Sequence, residues 1–206
     1  MAPAPEGALP LRLGVFGGPF DPPHVGHVAV ARDVADALAL DRVLWIPAGA
    51  PPHKRGDAVS PAGVRLAMVR AVAAADPRFE ASALETARPG PSYTVDTLRA
   101  LRDLHPAAEL FLILGADQLR TFGRGWREPA EILRLATLGL MDREGEVARG
   151  VAPDLPGMGR ALHVSVKRVD VSATRIRAAV AGGEDVSGLV PAGVLDVVRR
   201  EGLYGG

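Results

Sequence analysis

The amino-acid sequence predicts one α/β domain with a doubly wound, mostly parallel sheet and helices on both faces. Short apolar runs alternate along the chain with amphipathic segments of helical period, a pattern typical of βαβ units. The first apolar run leads through a glycine-rich turn directly into a helix start, as ligand-binding sheets of this kind often do. The chain of 206 residues is also long enough to bury the core of one such domain.

The first predicted unit runs from a strand over residues 9–16, through Gly17 and Gly18, into a helix. One side of that helix carries Val28, Val30, Ala31, Val34, Ala37 and Leu38. Residues 42–47 predict the second strand. Because a βαβ unit is nearly always right-handed, the turn after the first strand should lie at the carboxyl edge of the sheet.

The middle of the chain predicts two further helices and two further strands. A helix begins after Ser60 and Pro61, and its buried stripe is formed by Val64, Ala67, Met68, Ala71 and Val72. Residues 79–84 predict a weaker strand. Ser92 or Thr94 can cap the next helix, whose buried stripe is formed by Val95, Leu98, Leu101 and Leu104. Residues 110–114 then predict a core strand.

The last third predicts a short helix over residues 128–135, a strand over 137–141, a surface loop over 142–160 and a strand over 162–166. Ser172 is a natural N-cap for a helix that ends at Gly182 and Gly183. Pro191 opens a final helix that ends at Gly202. We expect residues 1–10 to be a flexible leader and residues 11–206 to form a single Rossmann-like domain.

The composition indicates a soluble globular protein without a general affinity for polyanions. Apolar residues make up 48% and charged residues 23% of the chain, which is ordinary. Because 24 basic residues balance 24 acidic ones, neither a nucleic acid nor a membrane is an expected partner. The absence of cysteine excludes disulfides and thiol chemistry and is compatible with the cytoplasm. A homo-oligomer is compatible with the sequence, which does not set the oligomeric state.

The turn after the first strand carries the residues that point most directly to chemistry. Gly17 and Gly18 allow a ligand to approach the backbone, and His24 and His27 can face one side of the helix start. The N-terminus of a helix favours phosphate through its N–H groups and its dipole. This motif is neither the dinucleotide fingerprint nor the P-loop. A tight turn with a capping histidine is the structural alternative.

A second group of polar residues opens the predicted helix near the C-terminus: Ser172, Thr174, Arg175 and Arg177. Each arginine at the positive end of a helix dipole costs a few tenths to about 1 kcal/mol unless it is paired. A bound anion would remove that cost; extension into solvent is the alternative. Together the two motifs suit nucleotidyl transfer, which needs aligned reactants and neutralised phosphate charge. No cysteine or G-x-S-x-G motif is present for a covalent intermediate.

Residues 17–27, Gly-Gly-Pro-Phe-Asp-Pro-Pro-His-Val-Gly-His, and 171–177, Val-Ser-Ala-Thr-Arg-Ile-Arg, resemble the paired ATP motifs of bacterial nicotinate-nucleotide adenylyltransferases, in the nucleotidylyltransferase superfamily. Residues 51–54, 90–98, 115–117, Trp126 and 201–204 follow in that family's order. The resemblance implies adenylyl transfer from ATP to nicotinate mononucleotide, giving deamido-NAD and pyrophosphate. Mg²⁺ would be carried in with ATP.

The resemblance also implies a role for each matched residue. His24, His27 and Arg177 would be catalytic. The ATP-binding residues would be Gly17, Gly18, Phe20, His24, His27, Gly115, Asp117, Ser172, Thr174 and Arg177. The residues that bind the acceptor nucleotide would be Lys54, Thr86, Ser92, Tyr93, Thr94 and Trp126. From the residues alone, Asp117 could either cap a helix or bind a ribose. No dedicated metal site in the protein is expected.

Two positions depart from the family pattern. Pro19 stands where a small residue is usual, and it has no N–H to donate to a phosphate. Arg127 stands where an aromatic residue often follows the tryptophan, which leaves its part in carboxylate recognition open. The alternative functions are adenylyl transfer to nicotinamide mononucleotide or to phosphopantetheine, and ATP sensing without turnover. The intact histidines and C-terminal motif argue against a sensor.

Overall fold

The computed structural model describes residues 9–50, 59–142, 161–167 and 169–205. The strands are β1 (Arg12–Gly18), β2 (Arg42–Pro47), β3 (Phe79–Ala81), β4 (Glu109–Gly115), β5 (Thr137–Asp142) and β6 (Leu162–Ser165). The helices are α1 (Val25–Ala37), α2 (Ala62–Ala73), α3 (Thr94–Leu104), α4 (Ala116–Gly125), α5 (Pro129–Leu135), α6 (Ala173–Ala181) and α7 (Ala192–Arg200). These strands form one sheet in the order β3-β2-β1-β4-β5-β6. Each neighbouring pair is parallel.

Successive residues of the central strands face opposite helical layers. On β4, Leu110, Leu112 and Leu114 pack with the layer formed by α3, α4 and α5, while Phe111 and Ile113 pack with α1, α2, α6 and α7. All five side chains are buried. A parallel strand that is covered on both faces must be apolar at successive positions, which explains the continuous apolar runs. The prediction of a doubly wound sheet is therefore confirmed.

Most predicted elements are present, with differences at their ends. β2 has the predicted bounds, whereas β1 begins at Arg12 instead of residue 9 and β3 ends at Ala81 instead of residue 84. Helix α4 is absent from the sequence prediction. Its large buried residues are only Leu119 and Phe122, and glycines, which disfavour helix formation, occupy its last turn.

The prediction for the start and end of α3 is wrong in two details. Tyr93 occupies the N-cap position and makes no side-chain capping bond, so neither Ser92 nor Thr94 is the cap. Leu104 does not complete the buried stripe, because in the last turn of the helix its side chain is 63% exposed. The buried stripe is formed by Val95, Leu98 and Leu101 as predicted.

Three predictions fall wholly or mostly outside the described residues: the leader up to residue 8, the loop from residue 143 to 160, and Lys54. Leu9, at the beginning of the described chain, is 91% exposed. None of the helices in the described ranges combines the length and apolar character needed to cross a bilayer.

Candidate active site

The candidate site lies at the carboxyl ends of the two central strands, β1 and β4. From the carboxyl end of β1 the chain turns to α1 on one face, and from that of its neighbour β4 it turns to α4 on the other. Such a reversal opens a crevice where open α/β sheets bind ligands. A pocket of about 160 Å³ lies there. Its lining includes Gly17, Gly18, Glu85, Ser92, Tyr93, Thr94, Gln118, Trp126 and Arg127.

His24 and His27 orient each other at the start of α1. The backbone N–H of His27 donates to Nδ1 of His24 over 3.3 Å, and the backbone N–H of His24 donates to Nδ1 of His27 over 3.2 Å. The two rings stack with 3.7 Å between their centroids. Because both Nδ1 atoms accept, the proton of each neutral ring is on Nε2. The motif thus combines a capping role with two imidazole donors of defined tautomer.

Gly26 and Phe20 support this histidine pair. A Cβ on Gly26 would lie 2.9 Å from Cγ1 of Val171 and 3.1 Å from Nδ1 of His24, so a larger residue would displace the pair. The ring of Phe20 is buried and lies edge-on to His27, with 5.3 Å between centroids. Its φ of 50° is costly for a bulky residue and is held by the surrounding core. A predicted contact of Phe20 with ATP would therefore involve its backbone.

The second motif meets the first at the turn after β1. Ser172 caps α6 as predicted, since its Oγ accepts from the backbone N–H of Arg175 over 3.2 Å. Nη1 of Arg177 donates to the carbonyl oxygen of Asp21 over 2.9 Å, and Nη2 donates to Oγ1 of Thr174 over 3.4 Å. Two motifs that are 156 residues apart in sequence are thereby brought together.

The carboxylate of Asp21 connects the same turn to the end of the chain. It accepts from the Tyr204 hydroxyl over 2.6 Å and from the backbone N–H of Ser60 over 3.1 Å. Burial, followed by this contact with Asp21, raises the pKa of the Tyr204 hydroxyl well above its ordinary value. Tyr204 therefore remains a hydrogen-bond donor at neutral pH.

Gly115 and Asp117 lie at the junction of β4 and α4. Gly115 is the N-cap residue, and its N–H donates to Oε1 of Gln118 over 3.1 Å. A Cβ on Gly115 would lie 2.7 Å from Oδ1 of Asp117. Asp117 is in the first turn of the helix and is exposed, so it is not the cap. Of the two roles that the sequence allowed, contact with a ribose remains a prediction.

On the side predicted to bind the acceptor nucleotide, the hydroxyl of Ser92 joins two segments of the pocket wall. Its Oγ accepts from the backbone N–H groups of Gly49 and Ala50 over 2.9 and 3.4 Å. This use of the hydroxyl explains why Ser92 does not cap α3. Oε1 of the buried Glu85 accepts from the hydroxyl of Thr97 over 2.7 Å. Burial raises the pKa of the Glu85 carboxyl, against the opposing effect of that hydrogen bond.

Trp126 and Arg127 form the outer wall of the pocket. The indole N–H of Trp126 donates to Oγ1 of Thr121 over 3.3 Å. The guanidinium of Arg127 lies 5.0 Å above the ring centre of Tyr93. It also lies 3.6 Å from Asp96 and 3.5 Å from Glu128. Within the described part of the chain, Arg127 and Glu85 are the two charged residues that line this pocket.

The structure distributes the predicted site residues over neighbouring regions. Six of them line the pocket: Gly17, Gly18, Ser92, Tyr93, Thr94 and Trp126. The others in the described ranges lie outside its lining: Phe20, His24, His27, Thr86, Gly115, Asp117, Ser172, Thr174 and Arg177. The hydroxyl of Thr86 donates to the carbonyl of Ala83 over 3.1 Å.

Sequence reasoning missed Glu85 and Gln118 in the pocket and the buried Arg65 behind it. The sequence did contain one signal for Arg65. It lies three positions before Met68, so that a charged residue falls on the apolar face of α2.

Comparison with known proteins identifies the family. The cytidylyltransferase-like family model matches residues 15–179. A protein of Roseiflexus sp. named "Probable nicotinate-nucleotide adenylyltransferase" is 42% identical over 200 residues, covering 93% of this chain and 97% of that protein. One of the same name from Thermus thermophilus is 42% identical over 195 residues, covering 94% of this chain and 100% of that protein. The chain belongs to this adenylyltransferase family. The resemblance drawn from the motifs is confirmed.

Solved structures agree on the fold. Nicotinic acid mononucleotide adenylyltransferase of Plasmodium falciparum, complexed with NaAD, has a TM-score of 0.73 at 14% identity, covering 94% of this chain and 97% of that one. A putative nicotinate-nucleotide adenylyltransferase of Vibrio parahaemolyticus has a TM-score of 0.64 at 21% identity, covering 94% of each chain. At these identities the similarity shows a shared architecture.

Proposed function

We propose that this protein transfers the adenylyl group of ATP to nicotinate mononucleotide, giving deamido-NAD and pyrophosphate for NAD synthesis. The observation that carries the proposal is the hydrogen bond from Arg177 to Asp21. It joins the C-terminal motif to the turn that begins with Gly17 and Gly18 at the pocket and leads to the paired histidines. The names of the relatives support nicotinate mononucleotide as the acceptor.

In the proposed reaction, a phosphate oxygen of nicotinate mononucleotide attacks the α-phosphorus of ATP in line. A new P–O bond forms, the bond from the α-phosphorus to the oxygen bridging the β-phosphorus breaks, and pyrophosphate leaves. The protein aligns the reactants and stabilises the charge that develops. The Nε2–H groups of His24 and His27 would donate to phosphate oxygens. Arg177, Ser172 and Thr174, at the N-terminus of α6, would hold the outer phosphates.

The remaining residues would hold the nucleosides. Gly115 and Asp117 would contact the adenosine, and Gly17, Gly18 and the backbone of Phe20 would let ATP approach the turn. Trp126 would stack on the pyridine ring of the acceptor. Thr86, Ser92, Tyr93 and Thr94 would form the rest of the acceptor subsite, with Lys54 as a further phosphate ligand.

Mg²⁺ would enter as part of the ATP substrate. The ion prefers phosphate oxygens and water to a cage of protein ligands. In the described ranges, no three His, Asp or Glu side chains are grouped so that they could hold a metal ion. We further propose that the enzyme acts in the cytoplasm, as its cysteine-free sequence allows.

The test is pyrophosphate release from Mg–ATP with three acceptors in separate reactions: nicotinate mononucleotide, nicotinamide mononucleotide and phosphopantetheine. We expect a strong preference for nicotinate mononucleotide. Preference for either other acceptor would keep the mechanism and overturn the assigned substrate. Binding of ATP without turnover on any acceptor would overturn the enzymatic proposal in favour of a sensor.

A further inference from the structure

Arg65 is a buried cation behind the pocket. The residue lies on α2 and is 2% exposed. Nε donates to the carbonyl of Ser60 over 2.8 Å, Nη1 to that of Pro19 over 2.9 Å and Nη2 to that of Gly49 over 3.1 Å. A buried charge is costly unless its donors are satisfied, and here all three guanidinium nitrogens donate to backbone oxygens. Burial lowers the pKa of Arg65, while the Asp21 carboxylate opposes that effect.

Two of these carbonyls belong to different sides of the active site. Pro19 is in the turn between the glycines of β1 and the paired histidines. Although Pro19 has no N–H for a phosphate, its carbonyl is held by Arg65 immediately before Phe20 adopts its positive φ. Arg65 therefore fixes the turn at the point where its backbone is strained.

Gly49 extends the connection to the acceptor side. Its carbonyl accepts from Arg65, and its N–H donates to Oγ of Ser92 over 2.9 Å. A Cβ at this position would lie 2.2 Å from the carbonyl oxygen of Glu85, so only glycine fits between these segments. Hydrogen bonds thus run without interruption from Pro19 through Arg65 and Gly49 to Ser92.

We propose that Arg65 is a positioning residue that sets the distance between the ATP-binding turn and the acceptor segment. This inference rests on the proposed function. Arg65 contacts backbone oxygens and no reacting atom, so it acts through Pro19 and Gly49. In-line transfer needs the two substrates aligned, and a displacement of about 1 Å can reduce turnover by roughly 10²-fold.

The first test compares Arg65→Lys with Arg70→Lys, a matched change at an exposed position of the same helix. Lysine keeps the charge but lacks the planar fork that reaches several carbonyls at once. For Arg65→Lys we expect a folded protein whose kcat falls on the order of 10²-fold, because the bound substrates are misaligned. The measurements are thermal unfolding, kcat and the KM of each substrate. A merely structural role would lower the unfolding temperature and leave kcat per folded molecule unchanged.

The second test uses Ser92→Ala, alone and combined with Arg65→Lys, and remains informative if Arg65→Lys does not fold. Because the hydrogen bonds form one connection, Ser92→Ala should also weaken binding of a non-hydrolysable ATP analogue, although Ser92 lies on the acceptor side. The double variant should lose no more kcat than the stronger single variant. If the two residues acted independently, the fold-losses in kcat of the single variants would multiply.

The proposal is overturned if Arg65→Lys is folded with wild-type kcat and KM, or if Ser92→Ala binds the ATP analogue as the wild type does. These outcomes are separate from failure of the proposed function, which would appear as an inactive wild-type protein. If the wild-type protein were inactive, the affinity of Ser92→Ala for the ATP analogue would still test whether Ser92 and the ATP-binding turn are connected.

Discussion

The two sides of the active site are held in opposite ways. On the histidine side, His24 is 7% exposed, its Nδ1 is engaged by the backbone, and the buried Phe20 supports His27. On the outer acceptor wall, the Arg127 side chain is 52% exposed, and its carboxylate neighbours Asp96 and Glu128 are also partly exposed.

The difference fits the roles proposed for the two sides. Donors to a developing phosphate charge are most effective when they need no reorganisation during the reaction, so a buried and hydrogen-bonded histidine pair is favourable. A wall that is proposed only to contact an aromatic ring can be held by exposed, weak ion pairs. We therefore expect substitutions on the histidine side to lower kcat, and substitutions on the acceptor wall to change acceptor binding or selectivity.

The largest effect is expected for His27→Ala. Loss of one preorganised donor should reduce kcat by roughly 10²-fold or more, the effect known for removal of a single transition-state donor. Steady-state pyrophosphate release measures the change, and circular dichroism checks the fold. His163→Ala, at an exposed position of β6, is the control. Wild-type turnover in His27→Ala would contradict the proposed role of His27 as a donor to the phosphates.

A smaller and different effect is expected for Trp126→Ala. Stacking of a base on an aromatic side chain contributes about 1–3 kcal/mol, so the KM for nicotinate mononucleotide should rise about fivefold or more. The KM for ATP should not change. Trp126→Phe is the matched variant and should retain part of the affinity. Equal changes in both KM values would mean that the two sides of the site are not separable.

A still smaller effect is expected for Arg127→Gln. Its charge is exposed and already shared with two carboxylates, so it should contribute no more than about 1 kcal/mol, or about fivefold, to the preference for the acid over the amide nucleotide. The ratio of the two kcat/KM values measures this, with Arg124→Gln as the control. A loss of preference far above that range would show that the guanidinium is the principal ligand of the nicotinate carboxylate.

The smallest effect on turnover is expected for Glu85→Gln. This substitution should instead change how the free energy of unfolding depends on pH. Since burial raises the pKa of Glu85 from an ordinary 4.5, the folded state holds this proton more tightly than the unfolded state. That contribution to wild-type stability is complete below pH 4.5 and is lost as the pH rises through the raised pKa.

The amide variant cannot lose that proton. Urea unfolding at a series of pH values should therefore show Glu85→Gln gaining stability relative to the wild type as the pH increases through this range. Subtracting the two curves cancels the titration of other groups. A difference that is constant with pH would contradict the raised pKa of Glu85.

Much of the fold could be predicted because its signals are local. The apolar run of β2 and the Ser172 cap of α6 were placed correctly from neighbouring residues. Helix α4 was missed because it contributes only two large buried residues and has glycines in its last turn. The predicted capping role of Ser92 was wrong because a partner from a distant segment, Gly49, occupies its hydroxyl.

The sequence by itself determined the alternation of strands and helices, the two motifs proposed to bind phosphate and membership of the family, since each depends on residue types at short spacings. Only the tertiary structure decided that Arg65 joins Pro19 to Gly49, and that Tyr204 donates to Asp21 across 183 residues of chain. Such contacts depend on which strands become neighbours and how the loops at their carboxyl ends pack. No short stretch of sequence contains both partners, so local patterns cannot specify the pairing.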